Sequence, residues 1–578
     1  MEKRWGLPLI AWPSRLRPNA WDLVALPLVL SAVALVAWGG FAMGARYEFG
    51  DALPISLDPW HLPEYAMRTV LRMIVSLLVS LVFSLACGAL AAKSRQAEKI
   101  VIPTLDILQS VPILGFLAAT VTGFIALFPG RLLGVECAAI FAIFTSQAWN
   151  MAFSVYQSLR TLPAELIDAA RVFQLSTWQR FWRLEVPHAL PNLVWNMMMS
   201  VSGGWFFVVA SEAITVSNHT ILLPGVGSYI ATAISERDLG AIGYALVTML
   251  IVILLYDQLL FRPLLAWSRK FLGDLPGDED YFRPWFLVVM QRARVFDLIQ
   301  RLGRAANAAI DIALRRMSRR LPVRRIQVAP SPRSERLFDL VLLGLGLAGG
   351  LWLFRFIGAS VPAAEIGWVF VLGLITAFRV FVLILLASAV WVPIGVWIGL
   401  HPRLADGAQP VVQFLAAFPA NLFFPPAVVL ILSFRLNPDI WLSPLMILGT
   451  QWYILFNVIA GSTGLSRDLQ LTATTLGVRG WLWWRRVMLP TIFPAYVTGA
   501  VTAAGGSWNA SIVSEVVQWG DTTLRATGIG AYIAVYTATG DAARISLGIA
   551  VLCLYVLVLN RLLWHRLYDI ATERLRID

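Results

Sequence analysis

Long apolar runs, separated by short polar stretches, occupy most of the chain. A bilayer core about 30 Å thick is crossed by a helix of about 20 apolar residues, and many of these runs reach that length. In the first half of the chain the pattern predicts spans at residues 22–44, 67–92, 101–128, 134–157, 191–216 and 239–262. In the second half it predicts spans at residues 337–357, 367–400, 409–434, 441–462, 491–517 and 543–565. We therefore expect an all-α polytopic membrane protein with about 12 transmembrane helices.

Composition and charge support this fold class. Of the 578 residues, 58% are hydrophobic and 14% are charged, which excludes an ordinary soluble protein. The net charge of +12 would also suit a nucleic-acid-binding protein, but the basic residues concentrate in loops and at the ends, where they orient a membrane protein. Because Lys3, Arg4, Arg15 and Arg17 precede the first span, the positive-inside rule predicts that the amino terminus is cytoplasmic. Counting the predicted spans from there predicts that the arginine-bearing carboxyl terminus is cytoplasmic as well.

Two further features predict structural roles only. The first apolar run has full span length and no small-residue cleavage site follows it, so we expect it to remain as a helix. Cys87, Cys137 and Cys553 lie far apart inside predicted spans, which predicts neither a disulfide framework nor a metal site.

The two halves of the chain resemble each other in a fixed register. Identical residues recur at an offset of 303, as for Pro187 with Pro490, Trp205 with Trp508, Glu212 with Glu515 and Gly225 with Gly528. Upstream the offset is 307, as for Arg72 with Arg379 and Pro112 with Pro419. An even number of predicted spans separates the copies, which predicts a parallel repeat with its pseudo-twofold axis along the membrane normal. The predicted domains are a first module at 1–266, a linker at 267–336 and a second module at 337–578.

The linker contains a basic segment with helical periodicity. In VFDLIQRLGRAANAAIDIALRRMSRRL, residues 295–321, apolar positions recur at helical spacing beside an arginine-rich face. This pattern is typical of an amphipathic helix on an anionic cytoplasmic leaflet, although a solvated basic connector has the same composition. The sequence leaves both interpretations open.

The loop between the fourth and fifth spans of each copy is polar and helix-prone, yet it is rich in large aromatic residues. These are Phe173, Trp178, Phe181 and Trp182 in the first copy, and Trp481, Trp483 and Trp484 in the second. Large apolar side chains on an exposed loop indicate a partner surface. The alternative is that the loop packs only beneath its own helices.

The same loop carries a family motif in both copies. The first copy reads Asp168-Ala169-Ala170, then Gln174, then Leu184-Glu185-Val186-Pro187; the second reads Leu471-Thr472-Ala473, then Gly477, then Val487-Met488-Leu489-Pro490. This resembles the Glu-Ala-Ala, three residues, Gly, nine residues, apolar-x-Leu-Pro signature of permease subunits of binding-protein-dependent ABC importers. The patterns GGWFFVVASEAI at 203–214 and GGSWNASIVSEVV at 505–517 resemble the fifth span of the nitrate, sulfonate, taurine and bicarbonate branch. Two such permeases, usually separate chains, look fused here.

This resemblance implies a type I ABC importer permease fold and a transport role. It implies that Asp168, Ala169, Ala170 and Gln174, with Leu471, Thr472, Ala473 and Gly477, form coupling helices that dock on ATPase subunits. The implied partners are two ABC ATPase subunits, which carry ATP and Mg, and a periplasmic or lipid-anchored solute-binding protein at the bacterial inner membrane. The implied cargo is a small polar or anionic solute of the nitrate, sulfonate and taurine-like class, moved inward by alternating access. Gly477 suits a tight turn that Gln174 occupies only with strain.

The chain itself offers no site for ATP, another cofactor or a metal. A phosphate-binding loop requires Gly before Lys-Ser/Thr, and Lys93-Ser94 follows Ala92 instead. The five histidines are dispersed without metal-ligand spacing. We therefore expect a transport subunit that is not an enzyme.

Six residues are candidates for the translocation pathway. Glu212 and Glu515 are carboxylates inside or near the ends of apolar spans, which favours a place on the pathway or a structural hydrogen bond. Because they would repel an anionic cargo, they are expected to bind arginine or backbone amides instead. Trp205 and Trp508 are candidate gate residues or packing residues. Pro112 and Pro419 predict a break that exposes backbone groups to cargo, or a plain helix bend.

Two other classes compete with the permease interpretation. A secondary transporter of the major-facilitator kind also has six plus six spans, but its motifs are missing from the segment from Lys93 to Lys99, and it does not explain a repeated aromatic loop. A membrane enzyme or assembly scaffold requires intramembrane clusters of His, Asp or Cys, and the sequence shows none.

Overall fold

The structure is a computed structural model that describes residues 19, 21–47, 53–110, 113–216, 219–271, 285–320, 332–564, 566–567 and 569–570. The helices of the first half are α1 (Asp22–Met43), α2 (Leu62–Lys93), α3 (Arg95–Ser110), α4 (Ile113–Leu127), α5 (Leu133–Arg160), α6 (Ala164–Val172), α7 (Thr177–Arg180), α8 (Val186–Glu212), α9 (Val226–Glu236), α10 (Leu239–Tyr256) and α11 (Arg262–Ser268). The linker contributes α12 (Trp285–Arg292) and α13 (Arg294–Arg320). The helices of the second half are α14 (Pro332–Ser360), α15 (Ala363–Gly399), α16 (Pro402–Ala417), α17 (Phe424–Ser433), α18 (Pro438–Trp441), α19 (Ser443–Ile447), α20 (Gln451–Thr463), α21 (Arg467–Thr475), α22 (Gly480–Trp483), α23 (Leu489–Ser514), α24 (Ile529–Thr539) and α25 (Ala542–Leu559).

The all-α membrane fold class is confirmed, with a difference in the number of spans. Within the described ranges, 9 helices are long and apolar enough to cross a membrane, or up to 11 if each of two bent helix pairs is one span. The predicted span at 101–128 falls on α3 and α4, which have 16 and 15 residues and are therefore each short for a bilayer. Residues 111–112 between them, including the proline predicted to break this span, lie outside the described residues.

The predicted span at 409–434 is broken at Pro419. The two helical segments around it are bent by 75°. Phe418 is extended, with φ −73° and ψ 128°, because the ring of a following proline disfavours the helical region for the residue before it. The break therefore follows from local chemistry.

A second bend, of 42°, separates residues 438–447 from α20 and has no counterpart in α5, its continuous 28-residue equivalent in the first copy. Gly449 lies in the non-helical turn at this bend. The copies thus share their order of elements but differ in helix continuity.

Each fifth span ends in a short antiparallel hairpin. Strands β1 (Ala213–Val216) and β2 (His219–Leu222) follow α8, and β3 (Val516–Trp519) and β4 (Thr522–Arg525) follow α23. The predictions that these spans continue to 216 and 517 are wrong, because the apolar first strand of each hairpin extends the hydrophobic run of the helix. A helix of 11 residues, α9 or α24, follows each hairpin.

The chain forms two compact units. The first contains residues 1–42, 158–195 and 255–332, and the second contains residues 43–157, 196–254 and 333–578. Among the described residues of the first unit, one apolar cluster joins Ala25, Val289, Ala293 and Phe296. These units cut across the predicted modules, whose boundaries stay predictions.

The second unit packs parts of both copies against each other. Lys99 Nζ lies 2.8 Å from Asp339 Oδ1, and the amide of Gly520 donates to the carbonyl of Ile234 at 3.0 Å. Its core contains Ile454, Val458, Ala500, Ala503 and Ile533.

Candidate functional site

Glu212 ends α8 inside a buried ion network. Its carboxylate accepts hydrogen bonds from Thr69 Oγ1 at 2.7 Å, Arg72 Nη1 at 2.6 Å and the Gly227 amide at 2.7 Å. Arg72 also donates from Nε and Nη2 to the two oxygens of Glu136, at 2.6 and 2.7 Å. Because the side chains of Arg72, Glu136 and Glu212 are at most 2% exposed, these bonds replace the water that the charges lose on burial.

Glu515 has a corresponding network at the end of α23. It accepts from Thr376 Oγ1 at 2.8 Å, the Ala531 amide at 2.9 Å and Arg379 Nη1 at 3.4 Å. Arg379 Nη2 donates to Asp439 at 3.0 Å, and the side chain of Asp439 is 46% exposed. The second network is therefore looser and closer to water than the first.

Two glycines let the chain pass close to these carboxylates. A Cβ atom on Gly225 would lie 2.3 Å from the carboxyl carbon of Glu212, and one on Gly528 would lie 2.2 Å from both carboxyl oxygens of Glu515. Any side chain at either position would displace the carboxylate. The repeated glycines are thus part of the networks.

Sequence reasoning missed four members of the networks. Thr69 and Thr376 differ by the 307 offset, and Glu136 and Asp439 differ by the 303 offset. Applying the 307 offset to polar residues inside predicted spans finds the threonine pair, and applying the 303 offset to Glu136 leads to Asp439, two residues before the predicted span at 441–462. The Glu–Asp pair is missed by a search for identical residues, because only the carboxylate is shared.

A cavity lies inside the second unit, with a volume of about 100 Å³. Its walls come from α8, from the breaks of the third and fourth spans of the second copy, and from α23. The lining residues are Ser202, Gly203, Phe206, Phe207, Ala416, Phe418, Ala420, Leu445, Met446, Gly449, Thr450, Tyr453, Gly506, Asn509 and Ala510. Gly203 and Gly506 are equivalent in the repeat, so both copies present the same position to one space.

The predicted pathway residues lie at different distances from this cavity. Pro419 stands between two lining residues, Phe418 and Ala420. Trp205 and Trp508 are 1% and 4% exposed and are buried among packed side chains, while their helices reach the cavity through neighbouring residues. Glu212 and Glu515 are likewise absent from the lining. Pro112 lies outside the described residues.

The two aromatic loops share one backbone turn. Gln174 has φ 49° and Gly477 has φ 69°, both left-handed. The following amides of Leu175 and Val478 donate to the carbonyls of Ala170 and Ala473, at 3.1 and 2.9 Å. Gln174 therefore adopts the left-handed conformation despite the strain expected there. The first loop has the same backbone turn that Gly477 makes in the second copy.

The residues predicted for the coupling loops divide by exposure in the same way in both copies. Ala170 and Ala473 are 5% exposed, so they pack inward. The four residues Asp168, Ala169, Leu471 and Thr472 are exposed. Phe173 and Leu476, equivalent in the repeat and each directly before the left-handed residue, are 76% and 73% exposed. Each loop thus presents an apolar surface to its surroundings.

The first loop is held by the linker helix α13 within the first unit. Trp178 Nε1 donates to Asn307 at 2.6 Å, and Ser176 Oγ and Gln179 Nε2 donate to Asp311 at 2.7 and 3.0 Å. In the second loop, the residue equivalent to Trp178 is Trp481, which is 73% exposed.

Comparison with known proteins finds one family twice in the chain. Residues 84–260 and 391–576, more than half of the chain, match the family described as binding-protein-dependent transport system inner membrane component. The two matched segments contain both aromatic loops and both ends of the fifth spans.

Individual relatives are distant. The chain is 26% identical over 235 residues to the glycine betaine/proline betaine transport system permease protein ProW of Escherichia coli, covering 40% of this chain and 61% of the relative. It is 23% identical over 250 residues to the nitrate import permease protein NrtB of Synechocystis, covering 41% and 86%. It is 25% identical over 192 residues to the putative aliphatic sulfonates transport permease protein SsuC of Bacillus subtilis, covering 33% and 64%. The chain therefore spans less than two thirds of the ProW and SsuC relatives.

Proposed function

Starting from the fact that this chain belongs to the family of binding-protein-dependent transport system inner membrane components, we propose that it is the transmembrane permease subunit of an ATP-driven importer. The resemblance noted in the sequence is confirmed, since the family occurs twice and two permease modules are fused in one chain. The family consists of transport components, and it gives no support to the secondary-transporter alternative.

The observation that carries the proposal is the pair of loops before the fifth spans. Both have the same left-handed turn, and both expose an apolar residue at the same position, Phe173 and Leu476. Exposed apolar residues on a fixed backbone suit docking into a partner groove. The partners are two ABC ATPase subunits, which bind ATP and Mg. One subunit docks on each of the two loops.

The cavity is the substrate space of this importer. It is reached by the fifth spans of both copies, so a movement that starts at the loops is transmitted along α8 and α23 to its walls. Trp205 and Trp508, packed behind those walls, are gate residues that move with the helices. The break at Pro419 brings Phe418 and Ala420 to the substrate.

The ion networks hold the opposite ends of the same helices. Each ties a fifth span to the second span of its copy and to the segment after its hairpin. We place these ends on the periplasmic side, where a solute-binding protein delivers the cargo. The loops and both termini are then cytoplasmic, and the membrane is the bacterial inner membrane.

The cargo is a small polar or anionic solute of the nitrate, sulfonate and taurine-like class. The described cavity lining has polar groups at Ser202, Thr450, Tyr453 and Asn509, and no charged side chain. A space of this kind does not select by charge, so selection falls to the binding protein. The relatives, named for betaine, nitrate and sulfonate transport, fit a cavity that admits differently charged solutes.

The test is co-purification with candidate ATPase subunits. Phe173→Asp combined with Leu476→Asp should abolish association, because each places a charge in an apolar contact. The control is Thr522→Ala, which replaces an exposed residue on the β3–β4 hairpin and should leave association unchanged. Full association of the double variant, with monodisperse protein, overturns the proposal.

The cargo is tested on the binding protein. Its thermal unfolding midpoint is measured with nitrate, aliphatic sulfonates, taurine, bicarbonate and betaines. Stabilisation by any one of nitrate, aliphatic sulfonates, taurine or bicarbonate supports the proposed cargo. Stabilisation by betaines alone contradicts it without affecting the ATPase test.

A further inference from the structure

The linker helix α13 faces the first loop with its polar side. Asn307 and Asp311 are four residues apart, hence on one face of the helix, and Asp311 is only 8% exposed. They accept the bonds from Trp178, Ser176 and Gln179. This orientation reverses the usual arrangement, in which an amphipathic helix packs its apolar side inward.

The apolar side of α13 is consequently exposed. Leu302, Ile310 and Ile312 are 63%, 44% and 51% exposed. At 100° per residue, Leu302 lies opposite the face of Asn307 and Asp311, with Ile310 and Ile312 on either side of it. Exposed alanines at positions 305, 306, 309 and 313 complete the strip. An apolar strip of this length on a basic helix needs an apolar environment.

The beginning of α13 is fixed at the start of a membrane span. Val289 and Ala293, at the end of α12 and before α13, pack with Ala25 of α1. The guanidinium of Arg292 lies 5.3 Å from the centre of the Trp21 ring, and Asn19 Nδ2 donates to the Arg292 carbonyl at 2.7 Å. Since α1 is a candidate membrane span by its length and composition, a helix that starts beside the first residues of α1 is suited to lie at the boundary between lipid and water.

The charge of α13 selects the kind of surface. Arg301 lies beside Ile312 at the edge of the apolar strip, and the sequence continues with Arg315, Arg316, Arg319 and Arg320. Arginine beside apolar residues on an interfacial helix binds anionic headgroups while the apolar side chains enter the acyl boundary. We propose that α13 binds anionic phospholipid with its Leu302–Ile310–Ile312 side while its Asn307–Asp311 side holds the first loop, so that this loop is anchored to the membrane surface.

An ATPase subunit is the competing occupant of the strip. The lipid surface is favoured because the strip starts beside α1 and is bordered by arginine. The lipid proposal rests on the proposed function only where it takes the first loop to be a loop that docks on an ATPase. Lipid contact is measured without any ATPase, so failure of the lipid proposal leaves the transport proposal intact, and the reverse also holds.

The experiment compares two neighbouring alanines in the full chain. Ala309 lies in the apolar strip and Ala308 lies 100° away, on the arginine side; both are exposed. Ala309→Cys and Ala308→Cys, in a chain whose three cysteines are replaced by alanine, are labelled with an environment-sensitive fluorophore. The proteins are placed in phosphatidylcholine nanodiscs with or without phosphatidylglycerol, and quenching by a lipid with a nitroxide near the headgroup is recorded.

We expect strong quenching at position 309, weaker quenching at 308, and an increase at 309 with phosphatidylglycerol. Each arginine near an anionic surface changes binding roughly fivefold, so Arg301→Gln should lower the ratio of bound to unbound helix in phosphatidylglycerol by about that factor. Equal quenching at 308 and 309, no dependence on the anionic lipid, or protection of 309 only when an ATPase is added would each overturn the proposal.

Discussion

The indole N–H of Trp178 and the side-chain oxygen of Asn307 are 2.6 Å apart. This contact joins a repeated element to one that is not repeated, because the linker helix exists once. Trp178 is half-buried as a result, whereas its equivalent, Trp481, is exposed. One chain therefore presents two loops of the same backbone shape but different surfaces, and a partner that binds both meets two different environments.

Removing the linker contacts should loosen only the first loop. Asp311→Ala deletes the acceptor of two hydrogen bonds and Asn307→Ala deletes one, at about 1 kcal/mol each and more for those to the carboxylate. Hydrogen–deuterium exchange should accelerate at residues 173–182 in both variants, more strongly for Asp311→Ala. The second loop of the same molecule is the internal reference, and Ala308→Gln is the control on α13. Unchanged exchange in the first loop would show that the contacts do not hold it.

Swapping glutamine and glycine at the left-handed turn should change the stability of the two loops in opposite directions. A left-handed non-glycine residue costs about 1 kcal/mol or more, so Gln174→Gly should relieve that cost and Gly477→Gln should impose it. A Cβ on Gly477 meets no atom within 4 Å, which leaves conformation as the only penalty. Amide exchange at Leu175 should slow about fivefold in the first variant, and exchange at Val478 should accelerate by a similar factor in the second. The prediction is contradicted if amide exchange changes in the same direction in both loops.

Hydropathy predicted most spans because each has to meet the length and composition of a bilayer core. It failed where another element continued the apolar run, as β1 and β3 do after α8 and α23. The bend at Pro419 follows from the chemistry of proline, but that near Gly449 has no such signal in the sequence.

The repeat predicted more of the site than any motif did. It identified Glu212 with Glu515 and Arg72 with Arg379, although it did not show that these residues meet. The cavity could not be predicted, since its walls combine α8 with segments more than 200 residues away. The contact of Trp178 with Asn307 was equally out of reach, because no repeat constrains the linker.

The two ion networks should differ in their sensitivity to loss of arginine. Arg72→Met leaves Glu136 and Glu212 buried without a counter-charge, which costs about 3 kcal/mol or more. Arg379→Met should cost less, because Asp439 is partly exposed and also accepts from the Thr527 amide at 2.6 Å. The thermal unfolding midpoint of the purified protein should therefore fall further for Arg72→Met.

A combined variant separates charge from packing in the first network. Adding Glu212→Gln and Glu136→Gln to Arg72→Met removes the uncompensated charges and should recover part of the lost midpoint. If it recovers none, the arginine stabilises the protein by its volume rather than by its charge. Equal losses for Arg72→Met and Arg379→Met would contradict the difference in burial between the networks.

Filling the cavity at Gly203 should block transport without disrupting the protein. A Cβ at Gly203 has the Tyr453 hydroxyl as its nearest neighbour, at 3.6 Å, which is ordinary contact, so Gly203→Val is expected to fold with its methyl groups taking space from the substrate. Gly505→Val is the matched control: this glycine is exposed, a Cβ there meets nothing within 4 Å, and it does not line the cavity. Uptake into proteoliposomes supplied with the binding protein and ATPase subunits should be mostly lost for Gly203→Val and retained for Gly505→Val, while both variants still bind the ATPase.

A third variant, Gly506→Val, separates obstruction of the cavity from misfolding. Gly506 is equivalent to Gly203, but its Cβ would lie 2.4 Å from Thr450 Cγ2, so Gly506→Val should lower stability as well as transport. Normal uptake by Gly203→Val would show that the cargo passes elsewhere.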